Sequence, residues 1–337
     1  MRGRQIRFAM GVLFITAAWG QTAAGQNTTQ VFHFTYDPTT RGLQELTNAI
    51  RTVGEITQAS VSFEAKTLTV GGTPVQIAMA AWMFTTMDQP EPANHATQEY
   101  RPAGSANDLL RVLYLTQGEG PQGFQEIVNA VRTIPEMTKV FPYTPQNAIV
   151  MRGTDGQIAM AEWLFHQLDL PAGMQPAGTG THDYRAPGAT GDLVRVLQLT
   201  NAQSTTSFQE IVNAIRTIPE LTKVFPSTST GTVAVRGTPA KIELATWLFS
   251  QLDQASAPAS QGMQEFRMPE SGDDVTRVFY LTPNVTLRNF QDIIATLRTT
   301  SNIHRVFSDG SLRAVIVRGT ATQMAAADLL IKQMDKP

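Results

Sequence analysis

The tetrapeptides Val70-Gly71-Gly72-Thr73, Met151-Arg152-Gly153-Thr154, Val235-Arg236-Gly237-Thr238 and Val317-Arg318-Gly319-Thr320 punctuate the chain about every 82 residues. Each leads into an apolar-rich stretch that closes on Met87-Asp88, Leu168-Asp169, Leu252-Asp253 or Met334-Asp335. The repeat divides the chain into modules at 29–89, 111–170, 195–254 and 277–337, with linkers at 90–110, 171–194 and 255–276. A unit of about 60 residues has a marginal core when alone, so support from neighbouring modules or from an oligomer is expected. Duplicated modules of this kind work by presenting surfaces and do not assemble a single active site.

Every module reads strand, helix, strand, strand, helix. In the second copy, Arg111 to Thr116 is a short strand of branched and aromatic residues. Phe124, Ile127, Val128 and Val131 then fall at helical spacing, and Pro135 ends that helix. Met137–Tyr143 and Ala148–Arg152 form a hairpin around Pro145-Gln146-Asn147. The pairs Gly72 and Thr73, Gly153 and Thr154, Gly237 and Thr238, and Gly319 and Thr320 supply a turn and an N-cap for the last helix. Gln76, Gln157 and Gln323 complete capping boxes, and Lys241 leaves the third box half made. Trp82, Trp163 and Trp247 recur on this helix, with Leu329 in the fourth copy, and are read as core or inter-module packing.

The linkers have the Pro, Gly, Ala, Ser and Gln composition of flexible tethers. Each nevertheless keeps one phrase in register: Glu99-Tyr100-Arg101, Asp183-Tyr184-Arg185 and Glu265-Phe266-Arg267. A free tether has no need of that, so a short strand or clamp docking Tyr100, Tyr184 and Phe266 onto the adjacent module is expected. Asn48, Asn129 and Asn213 sit one turn before Arg51, Arg132 and Arg216 on the first helix. Asn is a poor helix former and makes a candidate recognition edge. The arginines suit the helix C-terminus.

Residues 1–25 read as a cleaved signal peptide: Arg2, Arg4 and Arg7, an apolar run from Phe8 to Trp19, then Thr22-Ala23-Ala24-Gly25. The chain has no cysteine, hence no disulfide, thiolate metal site or lipoprotein anchor. A formal charge of −2 gives no electrostatic reason to expect nucleic acid. His33, His95, His166, His182 and His304 occupy non-equivalent places, and no nucleophile elbow, phosphate loop or dinucleotide fingerprint occurs. Glu45, Glu126, Glu210 and Asp292, one per module, read as ordinary solvated carboxylates. The expectation is a non-enzymatic protein without metal, cofactor or small-molecule substrate.

The segment Arg111–Asp169 resembles the short periplasmic N-domain repeat of bacterial secretins, the outer-membrane channels of type II and type III secretion and of type IV pili. The resemblance rests on Val112, Leu115, Gly153, Thr154, Gln157, Leu168 and Asp169, repeated by Val196, Leu199, Gly237, Thr238, Leu252 and Asp253. It implies an α+β fold of four tandem βαββα, KH-like modules, each with two helices on one face of a three-stranded sheet. It also implies a periplasmic location, with outer-membrane association, and self-association into rings or contact with a secretin-like envelope complex. Secretins continue into a barrel region, whereas the resemblance here covers only the N-modules, so this chain is not expected to form the pore. A GxxG loop in a basic groove, which KH-type nucleic-acid binding needs, is missing. The alternative is an extracytoplasmic binding or spacer array unrelated to secretion.

Overall fold

The computed structural model describes residues 27–335, except 37–38, 91, 93, 118–119, 171–181, 186–190, 202–203, 257–261, 269–273, 283–285 and 301. The expected signal peptide lies outside the described residues. The first module comprises β1 (Thr28–His33), α1 (Thr40–Gly54), β2 (Gln58–Ser62), β3 (Thr67–Gly72) and α2 (Pro74–Met87). A short strand β4 (Gln98–Tyr100) precedes the second: β5 (Leu109–Tyr114), α3 (Gly120–Thr133), β6 (Lys139–Tyr143), β7 (Ala148–Gly153) and α4 (Asp155–Leu168). The third has β8 (His182–Arg185), β9 (Leu193–Gln198), α5 (Thr205–Thr217), β10 (Lys223–Ser227), β11 (Thr232–Gly237) and α6 (Pro239–Leu252). The fourth has β12 (Met263–Arg267), β13 (Asp274–Tyr280), α7 (Leu287–Thr300), β14 (Arg305–Asp309), β15 (Ala314–Thr320) and α8 (Ala321–Met334).

All four sheets are antiparallel with the third strand of the module in the middle. The first runs β1-β3-β2; the others run β4-β5-β7-β6, β8-β9-β11-β10 and β12-β13-β15-β14. The α+β, βαββα organisation is therefore present four times. The linker phrase adds a fourth strand to each of the last three sheets, beyond the three strands expected. Tyr100 pairs with Leu110, Tyr184 with Val194 and Phe266 with Thr276.

Local chemistry explains the helix starts. Thr73, Thr154 and Thr320 accept from the amides of Gln76, Gln157 and Gln323, whose side chains bond back to the cap amide. Thr238 caps the amide of Lys241 without the return bond. The glycine before each cap does not work as the expected turn residue, because none of the four has a left-handed φ. Space is what it provides. A Cβ at Gly319 would stand 2.6 Å from Gln323 Oε1, and one at Gly237 would stand 2.5 Å from Leu221 Cδ2.

The terminal Asp of each module locks the last helix to the end of the first strand. Asp169 accepts from Thr116 N (2.8 Å), Thr116 Oγ1 (2.9 Å) and Gln117 N (3.2 Å). Asp88, Asp253 and Asp335 hold Thr35, Thr200 and Thr282 in the same way. Arg132 on the first helix reaches the carbonyl of Val140 on the second strand at 2.9 Å, and Arg51, Arg216 and Arg298 do so to Ala59, Val224 and Val306.

The cores are not confined to single modules. The first joins Leu46, Ile50, Leu68 and Met83 to Leu110, Val112, Tyr114 and Val150 from the second sheet. The second takes in Val194, Val196 and Ala234 from the third sheet, and the third takes in Val278, Tyr280 and Ile316 from the fourth. Each pair of helices thus lies between its own sheet and the next, and the layers alternate sheet, helices, sheet, helices to the end. Sheets with both faces covered need apolar residues on both faces. Leu109–Tyr114 is buried almost throughout, whereas Thr28–His33 leaves most of its positions exposed, because among the described residues no helices cover the outer face of the first sheet.

Candidate interaction surfaces

The three junctions between modules repeat one set of contacts, built from residues in equivalent positions. Arg152 Nη2 pairs with Asp108 at 2.5 Å, and its Nη1 reaches the carbonyl of Val53 at the end of α1. At the next junction Arg236 joins Asp192 (3.0 Å) to the carbonyl of Ile134 (3.0 Å). At the third, Arg318 joins Asp274 (2.7 Å) to the carbonyl of Ile218 (2.8 Å). An arginine at a helix C-terminus meets unpaired carbonyls and the negative end of the dipole, and its planar fork can serve a carboxylate at the same time.

A second cation completes each junction. Lys139 pairs with Glu55 (2.7 Å), Lys223 with Glu136 (2.6 Å) and Arg305 with Glu220 (3.1 Å). These glutamates follow the helix end in the left-handed region, with φ of 54°, 59° and 56°. That conformation disfavours Glu. The ion pair to the following module offsets the strain. In the last module the same place is held by Asn302 (φ 49°), which tolerates the conformation and carries no charge. In the first module Gly71 and Gln58 stand where the other copies have Arg and Lys or Arg. Both halves of the contact are therefore missing at the ends of the array and present at every junction inside it.

The linker strands brace the same junctions. Tyr100 stacks on Trp82 with ring centroids 5.5 Å apart, Tyr184 lies 5.6 Å from Trp163, and Phe266 lies 5.4 Å from Trp247. In each case the Trp belongs to the preceding module and the partner to the sheet that follows. Aromatic pairs in this range contribute about 0.5–1.5 kcal/mol beyond their buried area. Glu99, Asp183 and Glu265 on these strands pair with Arg111, Arg195 and Arg277 of the adjoining strand. Arg101 pairs with Asp155 at 2.8 Å, Arg267 with Glu265 at 2.8 Å, and Arg185 is exposed. The candidate edge Asn48, Asn129 and Asn213 is half-buried to exposed; Asn129 accepts from Gln125 on its own helix, and the structure does not bring the three together.

The carboxylates read as solvated face residues are a correction. Glu45 accepts from Thr144 N and Oγ1 (2.8 Å each), on the hairpin of the second module. Glu126 accepts from Ser227 Oγ (2.7 Å), Thr228 Oγ1 (2.6 Å), Ser229 Oγ (2.7 Å) and Ser229 N (3.1 Å) on the third. Partial burial raises its pKa, but the hydroxyls of Thr228, Ser229 and Ser227 outweigh that and bring it down to about 2. Glu210 takes the amide of Gly310 (3.1 Å) on the fourth. Asp292, the equivalent residue of the fourth module, is exposed. The signal that could have found them is their sixth-residue spacing before the repeated Arg, shared by all four copies.

Two lateral features complete the surface. The edge of β1, which carries β4, β8 or β12 in the equivalent place of the other sheets, is unpaired among the described residues, and Val31 on this strand is 49 % exposed. On the opposite edge, β6 and β10 carry Pro142 and Pro226, which interrupt pairing with a further strand, while β2 and β14 have no proline. A cavity of about 610 Å³ at the third junction is lined by Glu220, Asp274, Arg305 and Arg318, but these charges already neutralise one another. No group of three metal-ligating side chains occurs among the described residues, and none of the described helices is long and apolar enough to cross a membrane.

No family model matches the chain, and no curated protein does. Solved structures similar to it include the N-terminal domain of the secretin XcpQ from Pseudomonas aeruginosa, at 15% identity and a TM-score of 0.18, covering 42% of this chain and 62% of that one. Aeromonas hydrophila ExeD is 17% identical over 68% of this chain and 42% of its own, with a TM-score of 0.16. The GspD secretin in an enterotoxigenic E. coli (ETEC) complex with the pilotin AspS is 19% identical over 69% of this chain and 39% of its own, with a TM-score of 0.17. The chain thus spans less than two thirds of the length of each. Likeness at these TM-scores adds nothing to the fold assignment, which rests on the strand order and register. The protein is similar to secretin N-terminal domains, and the likeness concerns fold alone.

Proposed function

We propose that this protein is an exported, non-enzymatic scaffold whose four modules, bounded as in the sequence reading, form one stiff rod of fixed length within a periplasmic secretion or pilus assembly. The observation that carries this reading is the placement of the junction contacts: Arg152, Arg236 and Arg318 at each internal joint, Gly71 and Asn302 at the two ends. The first and fourth modules lack the residues that make the internal joints on their outer sides, so on this reading partners meet the array from the side. The edges of β1, β2 and β14, unpaired among the described residues, are the surfaces such partners would use, by strand addition. Partners are a second copy or a secretin-like envelope complex; nucleic acid, cofactors and small molecules play no part.

The test is purification of the mature chain from envelopes after gentle cross-linking, with sedimentation of the free chain at micromolar concentration. Recovery with a channel-forming secretin, or a species larger than one chain, is the expected result. A strict monomer that recovers no secretion component would instead favour a spacer array unrelated to secretion.

A further inference from the structure

The same glutamate meets three different partners at the three junctions. Glu45 is paired with Arg41 (2.7 Å) as well as with Thr144. Glu126 is surrounded by hydroxyls, one of them from Ser227. At the third junction the residue equivalent to Ser227 is Asp309, so a carboxylate faces a carboxylate. Asp309 is 1 % exposed. Its Oδ1 accepts from Ser311 Oγ (2.7 Å) and Leu312 N (2.8 Å), while Glu210 Oε1 accepts from Gly310 N. The remaining oxygens, Glu210 Oε2 and Asp309 Oδ2, are both buried without a partner.

A buried Asp309 and a half-buried Glu210, brought to neighbouring positions by the Gly310 contact and each keeping one buried oxygen without a donor, are a costly arrangement when both are charged; one proton removes both the repulsion and a missing hydrogen bond. We propose that Glu210 holds a proton where it faces Asp309 across the third junction, so that the fourth module docks with Glu210 as a neutral carboxyl. Burial first, and the charge of Asp309 after it, push the Glu210 pKa up, against the lowering pull of Gly310 and Ser311. The other groups packed around the pair do not supply a cation. From β13, Tyr280 donates to the carbonyl of Gln251 (2.9 Å), and burial pushes its pKa up to about 12, so it stays neutral. From α5, Arg216 is turned to Val224, and on α6 the terminal Asp253 is held by Thr200 and Asn201. Arg313 on the hairpin is exposed, and no ion pair joins either carboxylate to a cation among the described residues.

The sign follows from linkage. A carboxyl whose pKa is raised on docking binds its proton more tightly in the closed junction. Docking is then strongest below the ordinary value near 4.5, weakens as pH rises through the raised value, and is level above it. The second junction has the opposite slope, because Glu126 must be ionised.

The experiment is native-state hydrogen exchange of the β14 and β15 amides in the full chain across this range, corrected for intrinsic exchange. The expected result is an opening constant that rises with pH, by up to about tenfold per unit for one proton. Asp309→Ser, which restores the residue found at the second junction, should remove or reverse that slope; Glu210→Gln should remove it. Infrared absorption should show a protonated carboxyl that disappears in Asp309→Asn. A flat wild-type profile, or a slope unchanged by Asp309→Ser, would overturn the proposal. So would calcium chloride tightening the wild-type junction tenfold at neutral pH but not that of Asp309→Ser, since the pair would then hold a cation in place of the proton.

Discussion

Replacing Arg318 by Met tests the idea that the junctions are held by one bridging arginine each. The Arg318 side chain is 6 % exposed and joins Asp274 at 2.7 Å to the carbonyl of Ile218 at 2.8 Å. Breaking a buried pair from one side costs about 3–5 kcal/mol. Here Asp274 is 19% exposed and keeps Arg305 at 3.4 Å, so we discount that part to roughly 2–3 kcal/mol for solvent and the remaining partner. The buried carbonyl left without its donor adds about 1 kcal/mol. Arg318→Met should therefore destabilise the docked fourth module by about 3–4 kcal/mol, read as a lowered urea midpoint and as faster exchange in β13–β15. The control is Gly71→Arg, which installs the same residue where no described helix faces it. Its Cβ would press on Gln58 Oε1, 2.6 Å away at the end of a flexible side chain that can swing aside. It should change stability by no more than about 0.5 kcal/mol. A cost below about 1 kcal/mol for Arg318→Met, or a stabilising Gly71→Arg, would refute the reasoning.

Other outcomes follow from the same geometry. Stability carried by Glu126, whose pKa is held at about 2 against an ordinary 4.5, is present above about pH 4.5 and lost as pH falls toward 2; Glu126→Gln should flatten that part of an acid-unfolding curve. Tyr100→Ala should release β4 and its stack on Trp82, costing about 3 kcal/mol and changing Trp82 fluorescence at low urea. Asp169→Ala removes three accepted hydrogen bonds from the end of the second module and should cost about 2–3 kcal/mol by urea denaturation.

The module pattern was legible because helical and strand periodicities, Pro135 and the Thr caps are local signals. The stacking of modules was less so. Its trace is present in the contrast between Thr28–His33, which is mostly polar, and Leu109–Tyr114, which is apolar on both faces, but a short apolar run has several explanations until the covering helices are seen. The Trp row was read as packing, and Trp82, Trp163 and Trp247 do pack against the following strand. Arg152, Arg236 and Arg318 were visible as part of the repeated tetrapeptide, with Gly71 as the exception, yet nothing local says what an Arg before a Gly will reach. The same holds for Glu45, Glu126 and Glu210. Their partners lie about a hundred residues away, on hairpins whose approach depends on the stacking itself.

The central claim is that four modules form a single stiff layered rod, and the distance between its ends measures that directly. The chain contains no cysteine, so Ala65→Cys on the first hairpin and Thr322→Cys on the last helix would be the only spin-label sites. Shared cores at all three junctions predict one narrow distance distribution, unchanged by ionic strength until the chain unfolds. A broad distribution, as expected of four modules tethered through linkers 90–110, 171–194 and 255–276, would contradict the account.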